Sequence, residues 1–240
     1  EQLAKEIYGK AEKVVEPDWK TLVDSARMYL ALKKFIREYN ANGVTMNCLG
    51  GFYSGKLDAY PCIAFMLFDD EGTTMAACEG DIESLLTKIA MKEIANRPGF
   101  LSEPAIDTSK NLAIYAHCVS ATKLNGYDKS PEPFYIRSHA EDNKGASIQV
   151  LSQYYGIGTI VKIVPGSKQV LLLRGWILGH MEQDLACRTK IVVNVNDAQG
   201  LIDNWRHSWH RVLYYGDWSG EIEQLAKLLG YELIVEEGSY

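Results

Sequence analysis

The apolar residues of this chain change their spacing near residue 108, and that change constrains the fold more than any other feature. Upstream, Trp19, Leu22, Val23, Ala26, Tyr29, Leu30 and Phe35 recur at helical intervals over 18–39, with Asp18 as cap and Asn42-Gly43 as stop. Residues 44–49 read as a short buried strand, followed by the glycine-rich loop 50–55. Residues 63–68 read as an apolar strand closed by the turn Asp69-Asp70-Glu71-Gly72. Residues 80–94 read as a helix with Leu85, Leu86 and Ile89 on one face. Strand and helix thus alternate, as in α/β proteins. Beyond Asn111 the runs 112–116, 147–151, 158–164, 170–178 and 190–195 are short and separated by Gly, Pro, Asn and Lys, the spacing of an antiparallel sheet or barrel. A helix from Ser219 to Gly230 and a strand over 231–235 close the chain. The expected fold is a partial Rossmann-like α/β segment over 1–108, then a mostly antiparallel β-barrel-like domain over 109–240.

Composition excludes several classes. With 47% hydrophobic and 23% charged residues among 240, most of the chain is not disordered. A balance of 25 basic against 31 acidic residues carries no nucleic-acid footprint. The longest purely apolar run, 63–68, is far short of the ~20 residues of a membrane span. Five cysteines, at 48, 62, 78, 118 and 187, include no C-x-x-C pair, which points to reduced thiols in a cytoplasmic protein. The chain opens Glu1-Gln2-Leu3, which suggests a processed product or a piece of a longer protein.

Among the motifs, Gly50-x4-Gly55-Lys56 matches a phosphate loop up to its last position, where Leu57 replaces the hydroxyl that would hold Mg²⁺. Pro61 also interrupts the short stretch before Asp69, so a plain glycine turn is the better reading. Glu79, in Cys78-Glu79-Gly80-Asp81 at a helix start, is either a charge suited to the helix dipole or a carboxylate at a cleft mouth. Glu103 reads as a loop acid within 100–104. His117 ends an apolar strand, as a packed imidazole or a ligand. His207 and His210 would face opposite sides of a strand, at an aromatic core edge. His139 and His180 stand in polar loops without a ligand role. Two carboxylates and two imidazoles from distant segments could form one divalent-metal site; carboxylates suit Mg²⁺ and Mn²⁺, and imidazole shifts the preference toward Mn²⁺, Fe²⁺ or Zn²⁺.

An ordered set of islands goes further. Pro61-Cys62, Asp70-Glu71-Gly72, Cys78-Glu79-Gly80-Asp81, residues 100–104, Ile106-Asp107, Asn111 and His117-Cys118 resemble the L-fucose isomerase / L-arabinose isomerase family. So do His210, Tyr215-Gly216-Asp217 and the helix of Leu225, Ala226, Leu228, Leu229 and Gly230, and the likeness is greatest to the fucose-isomerase-like branch. The resemblance runs in islands over roughly 12–235 and implies a metal-dependent aldose–ketose isomerase using Mn²⁺. It implies that Glu79 and Glu103 bind metal and transfer protons, that His210 is a ligand, and that His117 is a further ligand as in the arabinose branch. Asp107 is the substitute for Glu103 if that loop aligns a few residues differently. The family's members are about twice as long, so the chain resembles their C-terminal half, and their closed assemblies imply a homo-oligomer such as a hexamer acting on a small sugar. Two other readings stand beside this one: a relative that binds a sugar or partner without turnover, and a non-haem Fe(II) enzyme using His117, His210 and one carboxylate.

Overall fold

A computed structural model describes residues 1–237. The first part of the chain runs α1 (Gln2–Lys10), β1 (Lys13–Val14), α2 (Trp19–Glu38), β2 (Gly43–Thr45), α3 (Cys48–Tyr53), α4 (Cys62–Glu71), β3 (Met75–Ala77) and α5 (Ile82–Ala95). It continues with β4 (Phe100–Asp107), β5 (Leu112–His117), β6 (Phe134–Arg137), β7 (Ser147–Val150), β8 (Gly156–Val164), β9 (Gln169–His180) and β10 (Thr189–Asn194). The last elements are α6 (Ala198–Asp203), β11 (Arg211–Tyr215), α7 (Ser219–Leu229) and β12 (Glu232–Val235).

Four of the five short runs expected after Asn111, now β5, β8, β9 and β10, join β4 and β11 in a closed barrel, while the fifth, β7, lies in a separate sheet with β1 and β6. The barrel order is β10-β5-β4-β11-β8-β9, every neighbour antiparallel, and a β9–β10 pairing closes the ring of six. β12 joins the outer edge of β9 in parallel. Closure needs small residues where the walls approach. Gly158 pairs with Gly175 across the β8–β9 hairpin. A Cβ on Gly158 would stand 2.6 Å from Ile177 Cδ1, and one on Gly175 2.4 Å from Val193 Cγ1. Period-2 alternation sorts the strand residues into two cores. Ile160, Leu173 and Leu213 share one with Tyr115, Ile191 and Val193. Val161, Leu172 and Val212 face the other way, against Met91 of α5 and Ile222 and Ala226 of α7.

The N-terminal part is a helical layer with a two-stranded parallel pair, β2–β3, and with β1 paired to β6 in a separate three-stranded sheet. Ala4, Ile7, Leu22 and Ala26 sit in the same core as the barrel residues Phe100 and Tyr115. Position 108 falls in the turn between β4 and β5. The C-terminal expectation, 109–240, runs three residues past the described residues.

Several local expectations are corrected. Residues 63–68 form the helix α4, not a strand; Ile63, Ala64, Phe65, Met66 and Phe68 are all buried, so the sequence carries no amphipathic period to tell the two apart. The expected glycine loop 50–55 is largely α3, whose start is capped by Asn47, the side-chain oxygen accepting from Gly50 N–H at 3.1 Å. The expected strand over 44–49 shrinks to β2. Glu103 lies on β4, not in a loop. In α5 the buried face is Ser84, Thr87, Lys88, Met91 and Ala95, while Leu86 is exposed. Polar residues occupy that face because the barrel and α4 give them partners. Thr87 Oγ1 accepts from Ile163 N–H at 2.9 Å, and Lys88 forms a buried ion pair with Asp69.

Candidate metal centre

Four segments converge at one end of the barrel. After β3, the chain turns into α5 through Glu79 (φ 62°) and Gly80 (φ 74°). A left-handed glutamate costs about 1 kcal/mol or more, and such strain clusters at functional sites. Asp81 then caps α5, its Oδ1 accepting from Ser84 N–H at 2.9 Å. His117 ends β5. His210 precedes β11, whose pairing of Arg211 with Ser102 sets it beside Glu103 on β4.

The distances define a compact cluster. His210 Nε2 lies 3.4 Å from Glu103 Oε1 and 3.7 Å from Glu79 Oε2, and His117 Nε2 lies 3.7 Å from Glu79 Oε1. Ligand atoms of Glu79, His117 and His210 all fall within 4.8 Å of one another. The imidazole rings meet edge-on at 5.4 Å. Both histidines are buried, whereas the carboxylates of Glu79 and Glu103 reach an open cleft of about 420 Å³ rimmed by Ile82, Glu83, Ser208 and the exposed Trp209. That volume is ample for a small polar substrate.

The two imidazoles are held differently. His210 Nδ1 is 3.0 Å from Asp81 Oδ2, which also receives Lys162 Nζ at 3.2 Å and the Ser84 hydroxyl at 2.6 Å. Lys162, fully buried, also bonds Ser208. With its Nδ1 proton given to Asp81, His210 turns Nε2 toward Glu79 and Glu103; that buried atom has no hydrogen-bond partner, and a cation bound there would take the place of its proton. Burial opposes charge on His210, but Asp81, Glu103 and Glu79 outweigh it and lift its pKa to about 9. Asp81 is held well below the usual carboxylate range, its burial outweighed by His210, Ser84 and Lys162. Glu79 is lowered chiefly by His117.

His117 Nδ1 instead accepts from Val119 N–H at 3.2 Å. A neutral ring in that state carries its proton on Nε2 and offers it to Glu79. Ligation through Nε2 would move that proton to Nδ1, against the Val119 donor. His117 is one of the three residues whose ligand atoms lie within 4.8 Å of one another, and binding an ion through Nε2 would cost it the Val119 contact.

The cluster fits a divalent cation on its own chemistry. Bonds of about 2.1 Å set ligand atoms about 3.0 Å apart in an octahedron and about 3.4 Å in a tetrahedron, close to the 3.4 and 3.7 Å found at the orphaned His210 Nε2. The residues whose donor atoms all lie within 4.8 Å of one another are Glu79, His117 and His210, a borderline set of two imidazoles and one carboxylate; Glu103 reaches it at His210.

The other candidates lie elsewhere. Asp107 is four residues along β4, about 13 Å away, and caps its own turn by accepting from Ser109 N–H and hydroxyl. His207 Nε2 contacts Gln169 Oε1 at 2.7 Å, and His180 Nδ1 lies 3.0 Å from the Ser152 carbonyl. His139 stacks on Tyr60. Sequence reading missed Asp81, Lys162 and Ser208 as supports. Asp81-x-x-Ser84 is a legible helix cap, but nothing local ties it to a histidine 129 residues on.

Compared with known protein families and with curated proteins, the chain matches none.

Proposed function

We propose that this chain is a metal-dependent aldose–ketose isomerase, or the catalytic part of one, with Glu79, Glu103 and His210 as its cation ligands and Mn²⁺ as the first metal to test. The observation that carries the reading is the buried His210 Nε2, without a hydrogen-bond partner, facing two carboxylates that open on an acidic cleft. A divalent cation bound there supplies electrostatic stabilisation of the negative charge that develops when a proton leaves carbon. Glu79 and Glu103 flank the place where C1 and C2 of an open-chain sugar would lie. One carboxylate takes the C2 proton and returns it at C1 while the O2 hydroxyl proton passes to O1, so the C1 aldehyde becomes a hydroxymethyl group and C2 a ketone. His117, through Nε2–H, keeps Glu79 turned toward the cleft. Asp81 and Lys162 fix the His210 ring. Trp209 at the rim offers an apolar surface to the sugar backbone.

The resemblance to the L-fucose / L-arabinose isomerase family supports this reading, as does the parallel β2–β3 pair with α3 and α4 between, which is compatible with a partial Rossmann-like layer. A homo-oligomer and a small-sugar substrate belong to the same proposal. Five free cysteines favour a reducing compartment such as the cytoplasm. Among the described residues no helix is long and apolar enough to cross a membrane.

The test is turnover of an aldose panel with Mn²⁺ in deuterated water. Ketose carrying solvent deuterium at C1, absent with Glu79→Gln and Glu103→Gln, is the expected result. Full activity in both variants would sink the assignment, and cation binding without turnover would favour a sugar-binding relative. One observation favours a second reading: His117, His210 and Glu79 are also a two-histidine, one-carboxylate set suited to Fe²⁺. Iron-dependent O₂ uptake would select it.

A further inference from the structure

The barrel wall forks at β9. The first part of that strand pairs with β12 up to Leu172, opposite Val235, and the last part pairs with β10 from Trp176 on, opposite Asn194. At the fork the outer face of the barrel opens into a cavity of about 620 Å³ that includes Arg174 and Gly175. α7 packs over Leu172 through Ile222 and Ala226, so the start of that helix walls the cavity on one side. The metal centre lies at the other end of β11: His210 precedes that strand, and Asp217, which holds Arg174, follows it. The two clefts share no lining residue.

Period 2 puts Arg174 and Trp176 on the outer face of β9, and Ile157 of β8 and Asn194 of β10 flank Trp176 in register. Tyr155 braces the indole, the two rings crossing at 77° with centroids 5.6 Å apart, yet Trp176 stays 42% exposed. Leu172 and Leu233 supply an apolar floor. Gly220, in the first turn of α7, adds no side chain to the wall, and a Cβ there would meet nothing within 4 Å. The charges around the cavity are already matched. Arg174 Nη2 lies 2.8 Å from Asp217 Oδ2, and Lys227 Nζ donates to Glu223 at 2.7 Å. What remains is hydrogen-bonding capacity. Arg174 has further N–H donors, and Asn194 gives its Nδ2 to the Asn111 carbonyl at 3.0 Å, which keeps its Oδ1 as an acceptor. An anion would need an unmatched cation, and a wholly apolar ligand would bury these groups without partners. A pyranose suits both halves of the cavity. Its axial C–H bonds form an apolar face that can lie flat on an indole, and its equatorial hydroxyls donate and accept around the edge.

We propose that this cavity binds a neutral saccharide of one or two pyranose rings with equatorial hydroxyls. Trp176 is the stacking platform, and Arg174, Asn194 and Glu223 are the partners of the hydroxyls. The volume falls within the roughly 300–1,000 Å³ of small-molecule sites. This inference stands whether or not the metal centre is an isomerase.

The experiment titrates the full chain with methyl β-cellobioside, a neutral disaccharide of two such rings whose blocked anomeric carbon prevents ring opening. Saturation-transfer NMR should place the sugar C–H protons against the protein, calorimetry should show one site, and hydrogen exchange should slow in peptides covering 174–178 and 219–223. Trp176→Ala should weaken binding about tenfold or more, and Trp209→Ala, at the metal cleft, should leave this binding unchanged. No binding at any concentration the sugar's solubility allows, equal binding by Trp176→Ala, protection confined to 208–210, or tighter binding of benzoate or adenosine at Trp176 would each overturn the proposal. The wild-type exchange footprint decides the matter even if a variant fails to fold.

Discussion

His210 Nδ1 lies 3.0 Å from Asp81 Oδ2, and this contact decides which nitrogen of the ring is free. Asp81 holds the Nδ1 proton, so Nε2 is the nitrogen that faces Glu79 and Glu103 and can exchange its proton for a cation. Asp81→Asn keeps the α5 cap, because asparagine caps as well as aspartate, but it removes the charge. We expect Mn²⁺ affinity to fall about 10–100-fold with little change in melting temperature, read by titration calorimetry beside thermal unfolding. Unchanged affinity would mean that Asp81 is only a cap.

His117 makes the opposite case. Its Nδ1 accepts from Val119 N–H at 3.2 Å, which leaves Nε2 facing Glu79 Oε1 at 3.7 Å. His117→Gln can keep a donor near Glu79 and should change Mn²⁺ affinity by less than about tenfold. His210→Ala removes a ligand and should exceed the 10–100-fold typical of outer supports. Equal losses in the two variants would restore His117 as a ligand.

The metal-free protein should show a pH window set by the same pair. Asp81 is lowered from 3.8, so its contribution is present above that value and is lost as pH falls below it. His210 is raised from 6.5 to about 9, so its contribution is complete below 6.5 and is lost as pH rises through 9. Stability from this pair therefore peaks between about pH 4 and 6.5 and declines by about 3 kcal/mol toward pH 9. Denaturant titrations of the chelated protein across that range should show the decline, and His210→Ala should flatten it. An unchanged profile in His210→Ala would place the dependence elsewhere.

At the barrel, Arg211 and Glu236 form an ion pair with no exposure on either side; Arg211 Nε donates to Glu236 at 2.9 Å, and the guanidinium stacks on Trp205 at 4.0 Å. Glu236→Ala leaves a buried cation uncompensated, at a cost of about 3–5 kcal/mol, or roughly 10 °C in Tm for a chain of this size. Scanning calorimetry checks it. The double change Arg211→Met with Glu236→Leu should recover most of the loss, and failure to do so would show that the pair does more than neutralise itself.

The sequence by itself determined the elements whose residues show a period. The helices Trp19–Glu38 and α7 are legible because one face meets a core and the other meets water, and the strands β5, β7 to β10 and β12 because short apolar runs are bounded by Gly, Pro, Asn and Lys. The reading failed where a fully buried helix shows no period or where partners are distant. α4 carries no pattern because nearly every side chain is buried, and α5 hides Lys88 because Asp69 waits on α4. For the candidate centre, the sequence offered Glu79, Glu103, His117 and His210 as residues whose chemistry suits a cation. Only the tertiary structure decided that they meet, because the β4–β11 register sets His210 beside Glu103 while the left-handed turn at Glu79 aims a third segment at the same point. It also decided their states. Which imidazole nitrogen faces the cleft depends on one carboxylate and one backbone N–H that approach only when the barrel closes, and no spacing along the chain encodes that approach.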